Sequence, residues 1–282
     1  MPPQPTLEVP GYEVMQYLGS GARSTIWQVR DVRTNELFAL KRVVKNCRAD
    51  ARFVEQAVNE YNVVAALDHP AIRKIYKLRR IKRWFRLKEV RMLMELCGGK
   101  TVQEKRPTSV AEVVRIFVEV AAGLEHMNLR GYVHADMKPN NILVAPDGRV
   151  KIIDLGQSCR LGAVKERIQG TPDFIAPEQV LRRPLDGRTD VFNFGAALYW
   201  ALTGRPIPTI MPSKAGQSFT TDVIVPPPEQ FNPEVPPPLS KLVTDCIEPQ
   251  PSRRPAGMGE VGSRAAMILR SLKRRPDHGK IT

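Results

Sequence analysis

Between Tyr132 and Gly156 the chain carries the run that most restricts how it can fold. It reads Y-V-H-A-D-M-K-P-N-N, then an apolar stretch Ile142 to Val144, a turn with Asp147-Gly148, a second apolar stretch Val150 to Ile153, and Asp154-Leu155-Gly156. An Asp-Gly pair between two short apolar runs favours a tight hairpin. That hairpin brings Asp154 back beside Asn141, with Asp136 five positions before Asn141. Two oxygen ligands at the mouth of one hairpin suit a hard cation such as Mg²⁺, which usually reaches a protein through one or two such groups plus substrate phosphates. Asp136 is the base candidate, and Asn141 and Asp154 are the metal-ligand candidates. The chemistry implied is phosphoryl transfer.

Further motifs surround this run in a definite order. Gly19-Ser20-Gly21-Ala22-Arg23-Ser24, followed by Ile26, is a glycine-rich loop in which the missing Cβ atoms let backbone N–H groups approach a phosphate. Taken alone it reads equally well as a surface turn. The apolar strand Leu37-Phe38-Ala39-Leu40 ends on Lys41. Next come Phe53, Val54, Ala57, Val58, Tyr61 and Val64 at helical spacing, which puts Glu60 on an amphipathic helix where it can reach Lys41. A lone lysine or glutamate is ordinarily a solvated surface charge; the order of the motifs is what gives these two weight. Downstream stand Met92-Leu93-Met94-Glu95-Leu96-Cys97-Gly98, then G-T-P-D-F-I-A-P-E from Gly170 to Glu178, and P-Q-P-S-R-R-P from Pro249 to Pro255.

In this order, over about residues 10 to 270, the motifs resemble the eukaryotic-type (Hanks-type) serine/threonine protein kinase catalytic domain. The resemblance implies an α+β, two-lobed fold with a β-rich N-lobe over about 10–95, a mainly helical C-lobe over about 96–272, an N-terminal extension 1–9 and a basic tail 273–282. It implies ATP and Mg²⁺ as cofactors and protein serine or threonine hydroxyls as acceptors. Gly19, Ser20 and Gly21 would cover the phosphates, with Ser24 where a third glycine is usual. Lys41, held by Glu60, would bind the α- and β-phosphates. Ile26 and Ala39 would lie above the adenine and Leu143 below it, with Met94 limiting the pocket and Glu95, Leu96 and Cys97 forming the hinge. Asp136 would accept the hydroxyl proton, Lys138 neutralise the transferring phosphate, and Asn141 and Asp154 hold the metal ions.

The same resemblance places Arg254 against Glu178 and makes His134 a structural residue beneath Leu155. Ala135 stands where many kinases carry an arginine that pairs with an activation-loop phosphate. Ser158 is the only hydroxyl side chain between Gly156 and Gly170, so activity without loop phosphorylation is expected, although Arg160, Lys165 and Arg167 could still attract a phosphate. Two alternatives stay open: an ATP-binding pseudokinase scaffold and a basic polyanion-binding module.

Composition agrees with this assignment. With 282 residues the chain exceeds one small core. No uninterrupted apolar run approaches the roughly 20 residues that span a membrane, and Met1-Pro2-Pro3-Gln4-Pro5 lacks the basic start and apolar stretch of a signal peptide. Four scattered cysteines, Cys47, Cys97, Cys159 and Cys246, show no C-x-x-C spacing, and a reduced, cytoplasmic protein is expected. Ser109-x-x-Glu112 reads as a capping box before the stripe Val110, Val113, Val114, Phe117, Ala121, Leu124 and Met127. Asp190 opens an apolar helix from Val191 to Leu202 that Gly204 can cap. Between Ile207 and Pro238 no tight helix is expected, and the triprolines at 226–228 and 236–238 read as loop spacers rather than SH3-type ligands.

Charge is the remaining outlier. The chain holds 43 basic and 29 acidic residues, a formal +14. Much of the excess lies in Arg73-Lys74, Lys77, Arg79-Arg80, Lys82-Arg83, Arg86, Lys88 and Arg91, opposed in that segment by Glu89 and interleaved with Trp84 and Phe85. Such a stripe suits an acidic protein, nucleic acid or an anionic membrane surface. The plain alternative is a solvated hairpin face.

Overall fold

The computed structural model describes residues 7–21, 23–208 and 225–274. They form two compact units: one of the described residues up to Asp68 with Arg73–Gly98, and one of His69–Ile72 with the described residues from Gly99 onward.

The first unit is a five-stranded antiparallel sheet with one helix. The strands are β1 (Tyr12–Ser20), β2 (Ser24–Asp31), β3 (Leu37–Val44), β4 (Ile75–Arg83) and β5 (Arg86–Glu95), in spatial order β1-β2-β3-β5-β4. The β2–β3 turn is closed by Asp31, whose carboxylate accepts from the N–H groups of Arg33 and Thr34 at 2.8 and 3.0 Å. Strand alternation divides the apolar side chains between two faces. Ala39, Val43, Val90, Met92 and Met94 pack with Val54 and Ala57 of helix α1 (Ala51–Val64). Trp27, Val29, Leu40 and Leu93 form the opposite cluster with Leu7. Each valine, leucine or methionine among them, fully removed from water, contributes about 1.5–3 kcal/mol. The helix turns Val54, Ala57, Glu60 and Val64 inward together, so a glutamate shares the buried stripe.

The second unit is mainly helical. Helix α2 (Val110–Leu129) starts at Ser109, whose side chain accepts from the Glu112 N–H at 3.2 Å. All seven residues of the stripe read from the sequence are buried on it. Strand β6 (Lys100–Thr101) joins β8 (Ile142–Val144) and β9 (Val150–Ile152), and β7 (Tyr132–Val133) pairs with β10 (Cys159–Arg160). The segment His69–Ile72 belongs here because the Ile152 N–H donates to the Ala71 carbonyl at 2.6 Å and Ile72 bridges Ile152. Among the described residues four further α-helices follow: α3 (Pro177–Val180), α4 (Gly187–Thr203), α5 (Pro237–Cys246) and α6 (Met258–Arg274). Phe117 of α2 meets Phe194 of α4 edge to face at 5.2 Å in the core.

Two expectations need correction. Helix α4 begins at Gly187, with the Asp186 carboxylate accepting from the Arg188 N–H at 2.8 Å, and not at Asp190. The polar first turn carries no apolar periodicity, so the pattern shows only from Val191. Gly204 does end the helix, in the left-handed region at φ 72°. The second triproline is not a spacer: Pro236 caps α5 and Pro237 and Pro238 form its first turn. Proline suits that position, since its missing N–H would have had no partner within the helix. Residues 209–224, within the proline-rich stretch, lie outside the described residues, as do 1–6, Ala22 and the tail from 275.

Candidate active site

In the first unit, Lys41 sits mid-strand on β3, opposite Ile26 on β2 and Met92 on β5. Its Nζ lies 2.6 Å from Glu60 Oε2. Glu60 is 2% exposed on α1, and Arg73 Nη2 stands 4.0 Å from its other oxygen. A carboxylate this buried needs such partners, because an unpaired charge in the interior is heavily penalised. The ion pair fixes where the ammonium group points.

The glycine-rich segment joins β1 to β2. Gly19 adopts φ 157° at the end of β1, and the Gly21 N–H donates to Ser24 O at 2.9 Å. A Cβ on Gly21 would meet the Ser24 hydroxyl at 2.9 Å, so the turn has little room there. Arg23 pairs with Asp50 at 2.8 Å, which commits the charge that distinguishes this loop. Ala39 pairs with Met94 across β3 and β5, and Met94 is fully buried. Glu95, Leu96 and Cys97 are half-buried after it, with the Glu95 N–H held by Lys74 O at 2.9 Å.

In the second unit the segment after β7 gathers the remaining candidates. Asp136 is 7% exposed. Its Oδ1 accepts from the Thr171 hydroxyl at 2.9 Å, and its Oδ2 lies 3.1 Å from Lys138 Nζ. Lys138 also donates to Thr171 Oγ1 at 2.6 Å, closing a three-member ring. Burial pushes the Asp136 carboxyl above its ordinary value; the Lys138 ammonium and the Thr171 hydroxyl pull it back. Such a carboxylate is a better proton acceptor than one in water, provided it stays ionised at working pH.

Asn141 donates from Nδ2 to Asp136 O at 2.8 Å, which commits its nitrogen and leaves the amide oxygen as its donor to a cation. Strands β8 and β9 pair Ile142 with Ile152, and the Ile153 N–H donates to Asn141 O at 2.9 Å. The hairpin therefore does return Asp154 to Asn141. Asp154 is exposed, with φ 62°. Leu143 lies half-buried in the middle of β8.

The backbone before Asp136 is held by residues that sequence reasoning did not assign to the site. Asp190, fully buried, accepts from the N–H groups of His134 and Ala135 at 3.0 and 2.9 Å and from Asn128 Nδ2 at 2.8 Å. Burial raises its pKa and lowers that of His134, and each group's charge opposes the other's shift. His134 Nδ1 accepts from the Asp136 N–H at 3.3 Å. Ala135 has φ 60°, a conformation costly for a residue with a Cβ, at about 1–3 kcal/mol, and these hydrogen bonds hold it there. Gln179 adds another, donating to Ala135 O at 2.7 Å while its Oε1 accepts from Asn193 Nδ2 at 2.9 Å. The sequence reading placed Asp190 only at the opening of an apolar helix; its backbone donors, 55 and 56 positions away, left no local signal.

The segment from Asp154 to Glu178 is anchored along its length. Ser158 is 2% exposed, Arg160 stacks over Tyr132 at 4.1 Å, and Lys165 donates to Gln157 O at 2.7 Å. Glu178 meets Arg254 through two bonds of 2.7 and 2.9 Å, as the motifs implied.

The basic stripe is less uniform than its sequence suggests. Arg73 is 9% exposed beside Glu60, Lys74 pairs with Asp68 at 3.2 Å, and Glu89 binds both Arg42 and Arg91. Glu89 is the acid within the segment, and Glu60 and Asp68, which precede it, reach its first two residues. No helix among the described residues is long and apolar enough to cross a membrane.

Comparison with known proteins agrees with this arrangement. Residues 12–266 match the Protein kinase domain family. A probable serine/threonine-protein kinase of Clostridium acetobutylicum is 26% identical over 259 residues, 89% of this chain and 38% of that protein. Serine/threonine-protein kinase PknA of Mycobacterium tuberculosis is 26% identical over 275 residues, 94% of this chain and 62% of the relative. Sperm motility kinase 2B of Mus musculus is 32% identical over 201 residues, 69% of this chain and 40% of the relative. The chain thus spans about two fifths to three fifths of the length of these relatives. With its antiparallel sheet followed by a mainly helical part, it belongs to the protein kinase domain family.

Proposed function

We propose that the chain transfers the γ-phosphoryl group of Mg-ATP to serine or threonine hydroxyls of protein substrates. The observation that carries this reading is the ring of Asp136, Lys138 and Thr171: a buried carboxylate of raised proton affinity beside a lysine ammonium. Asp136 orients the acceptor hydroxyl and takes its proton as the oxygen bonds to phosphorus. Lys138 offsets negative charge on the transferring group while the bond to the ADP oxygen breaks. Lys41, fixed by Glu60, holds the α- and β-phosphates. Gly19, Ser20 and Gly21 offer backbone N–H groups to phosphate oxygens; Ile26, Ala39, Met94 and Leu143 bound the adenine, with Glu95, Leu96 and Cys97 along its edge.

Asn141 and Asp154 supply an amide oxygen and a carboxylate, hard donors of the kind Mg²⁺ takes together with substrate oxygens. Mg²⁺ bound there would neutralise phosphate charge. In this chemistry positioning and charge stabilisation supply most of the acceleration. The cytoplasm, where ATP and reduced thiols coexist, suits this reading.

The test is transfer of labelled phosphate from ATP to a general protein substrate with Mg²⁺, followed by identification of the modified residues. Asp136→Asn should abolish transfer and leave nucleotide binding largely intact, because the carboxylate acts on the acceptor. A wild-type chain that binds ATP but transfers nothing with any divalent metal would be a pseudokinase scaffold instead.

A further inference from the structure

Strand β3 pairs with β5 from Phe38–Glu95 to Val44–Glu89 and then ends, and the Lys45 N–H adds one bond to Lys88 O. Beyond Lys88, strand β5 has only β4 as ladder partner, through Lys82–Leu87 and Arg83–Arg86. The β4–β5 hairpin therefore projects past the rest of its sheet. Its two-residue tip is Trp84 and Phe85, 87% and 97% exposed, with Trp84 held in the left-handed region at φ 58°. Behind the tip, Arg79, Arg80, Lys82, Arg83, Arg86 and Lys88 are all exposed, and no acid lies between 79 and 88. Among the described residues none of these six has a carboxylate partner, while Glu89 is occupied by Arg42 and Arg91.

Across the ladder Arg79 faces Arg91 and Arg83 faces Arg86, and directly opposed like charges weaken a hairpin. Charge on an edge strand does serve to prevent edge-to-edge pairing. That role accounts for the cations on β4, but it leaves two fully exposed aromatic rings at the tip unexplained. We propose that this hairpin docks on an anionic lipid surface, with Trp84 and Phe85 seated among the headgroups and the six cations against lipid phosphates and carboxylates. Aromatic rings settle at the membrane interface, and Lys or Arg clusters beside them respond to the surface potential of anionic lipids. Single-stranded nucleic acid is bound along charged grooves, whereas the aromatic residues here cap a projecting two-stranded tip. The inference does not rest on phosphoryl transfer.

The test is co-sedimentation of the full 282-residue chain with phosphatidylcholine vesicles, with or without about one third phosphatidylserine. Binding to the anionic vesicles alone, weakening as salt rises, is the expected result. Replacing Arg79, Arg80, Lys82 and Arg83 by serine should lower partition about fivefold per charge removed. Trp84→Ser with Phe85→Ser should lower it while preserving its salt dependence. In the otherwise native chain, lipids brominated near the headgroup should quench emission, and Trp84→Phe should remove that quenching, a readout that needs no charge variant to fold. Equal partition onto neutral vesicles, unchanged binding of a folded four-serine variant, or tighter binding to poly(U) or polyglutamate than to anionic vesicles at equal salt would overturn the proposal.

Discussion

Replacing Arg254 by methionine gives a sharp test of how the second unit is held together. Its guanidinium is fully buried and uses all five N–H groups: Nε to Glu248 O at 2.7 Å, Nη1 to Glu178 Oε1 and Arg188 O at 2.7 and 2.8 Å, and Nη2 to Glu178 Oε2 and Pro249 O at 2.9 and 3.0 Å. It also lies 4.8 Å from the Phe192 ring centre. Methionine keeps the apolar contact and deletes every donor. Among the described residues Glu178, 5% exposed, keeps the Thr189 hydroxyl at 3.0 Å as a side-chain partner. Breaking a buried pair from one side costs about 3–5 kcal/mol, because the remaining charge is uncompensated. For a chain of this size about 4 kcal/mol corresponds to a fall in Tm of roughly 8–16 °C. Calorimetry at neutral pH would measure it, and adding Glu178→Gln should restore part of the loss by removing the stranded charge. A fall below about 3 °C, or a double variant no better than the single one, would refute the argument that this pair is compensated by burial geometry.

Two further outcomes follow from the site. Asp136 must be ionised to accept a proton, and its folded-state pKa is raised by burial, so kcat/KM should fall on acidification through a midpoint above the ordinary carboxylate range. Lys138→Met removes the largest opposing influence and should move that midpoint further up in whatever activity remains; a midpoint that stays put or drops would contradict the assignment. Ser158 is buried and Ala135 offers no cation to a phosphate, so phosphatase treatment and Ser158→Ala should each leave activity on an exogenous substrate within about tenfold, about 1.4 kcal/mol of transition-state stabilisation. A larger fall would mean that the loop is switched by phosphorylation.

Local pattern carried much of the architecture. Period-two alternation, the Asp-Gly turn and the apolar stripe on α2 are short-range properties, and each element formed where its pattern lay. Motif order supplied the pairings Lys41 with Glu60 and Arg254 with Glu178, which spacing alone could not. The start of α4 and the role of the second triproline were misread because a polar or proline-rich first turn resembles loop when its hydrogen-bond partners are unknown.

The order of residues by itself determined the family, the alternation of strands and helices, and which acids, amides and lysines the chemistry could draw on. Tertiary structure alone decided how the Asp136 segment is held. Asp190, Asn128 and Gln179 reach Tyr132, His134 and Ala135 across folds of the chain that no periodicity encodes. It also decided which charges are spent: Arg73 is turned inward to Glu60, while the cations from Arg79 to Lys88 stay outside with no carboxylate partner among the described residues. The reason is one of range. Side-chain periodicity records which face of an element is buried, whereas the proton affinity of Asp136 depends on burial by residues brought together only when distant elements pack.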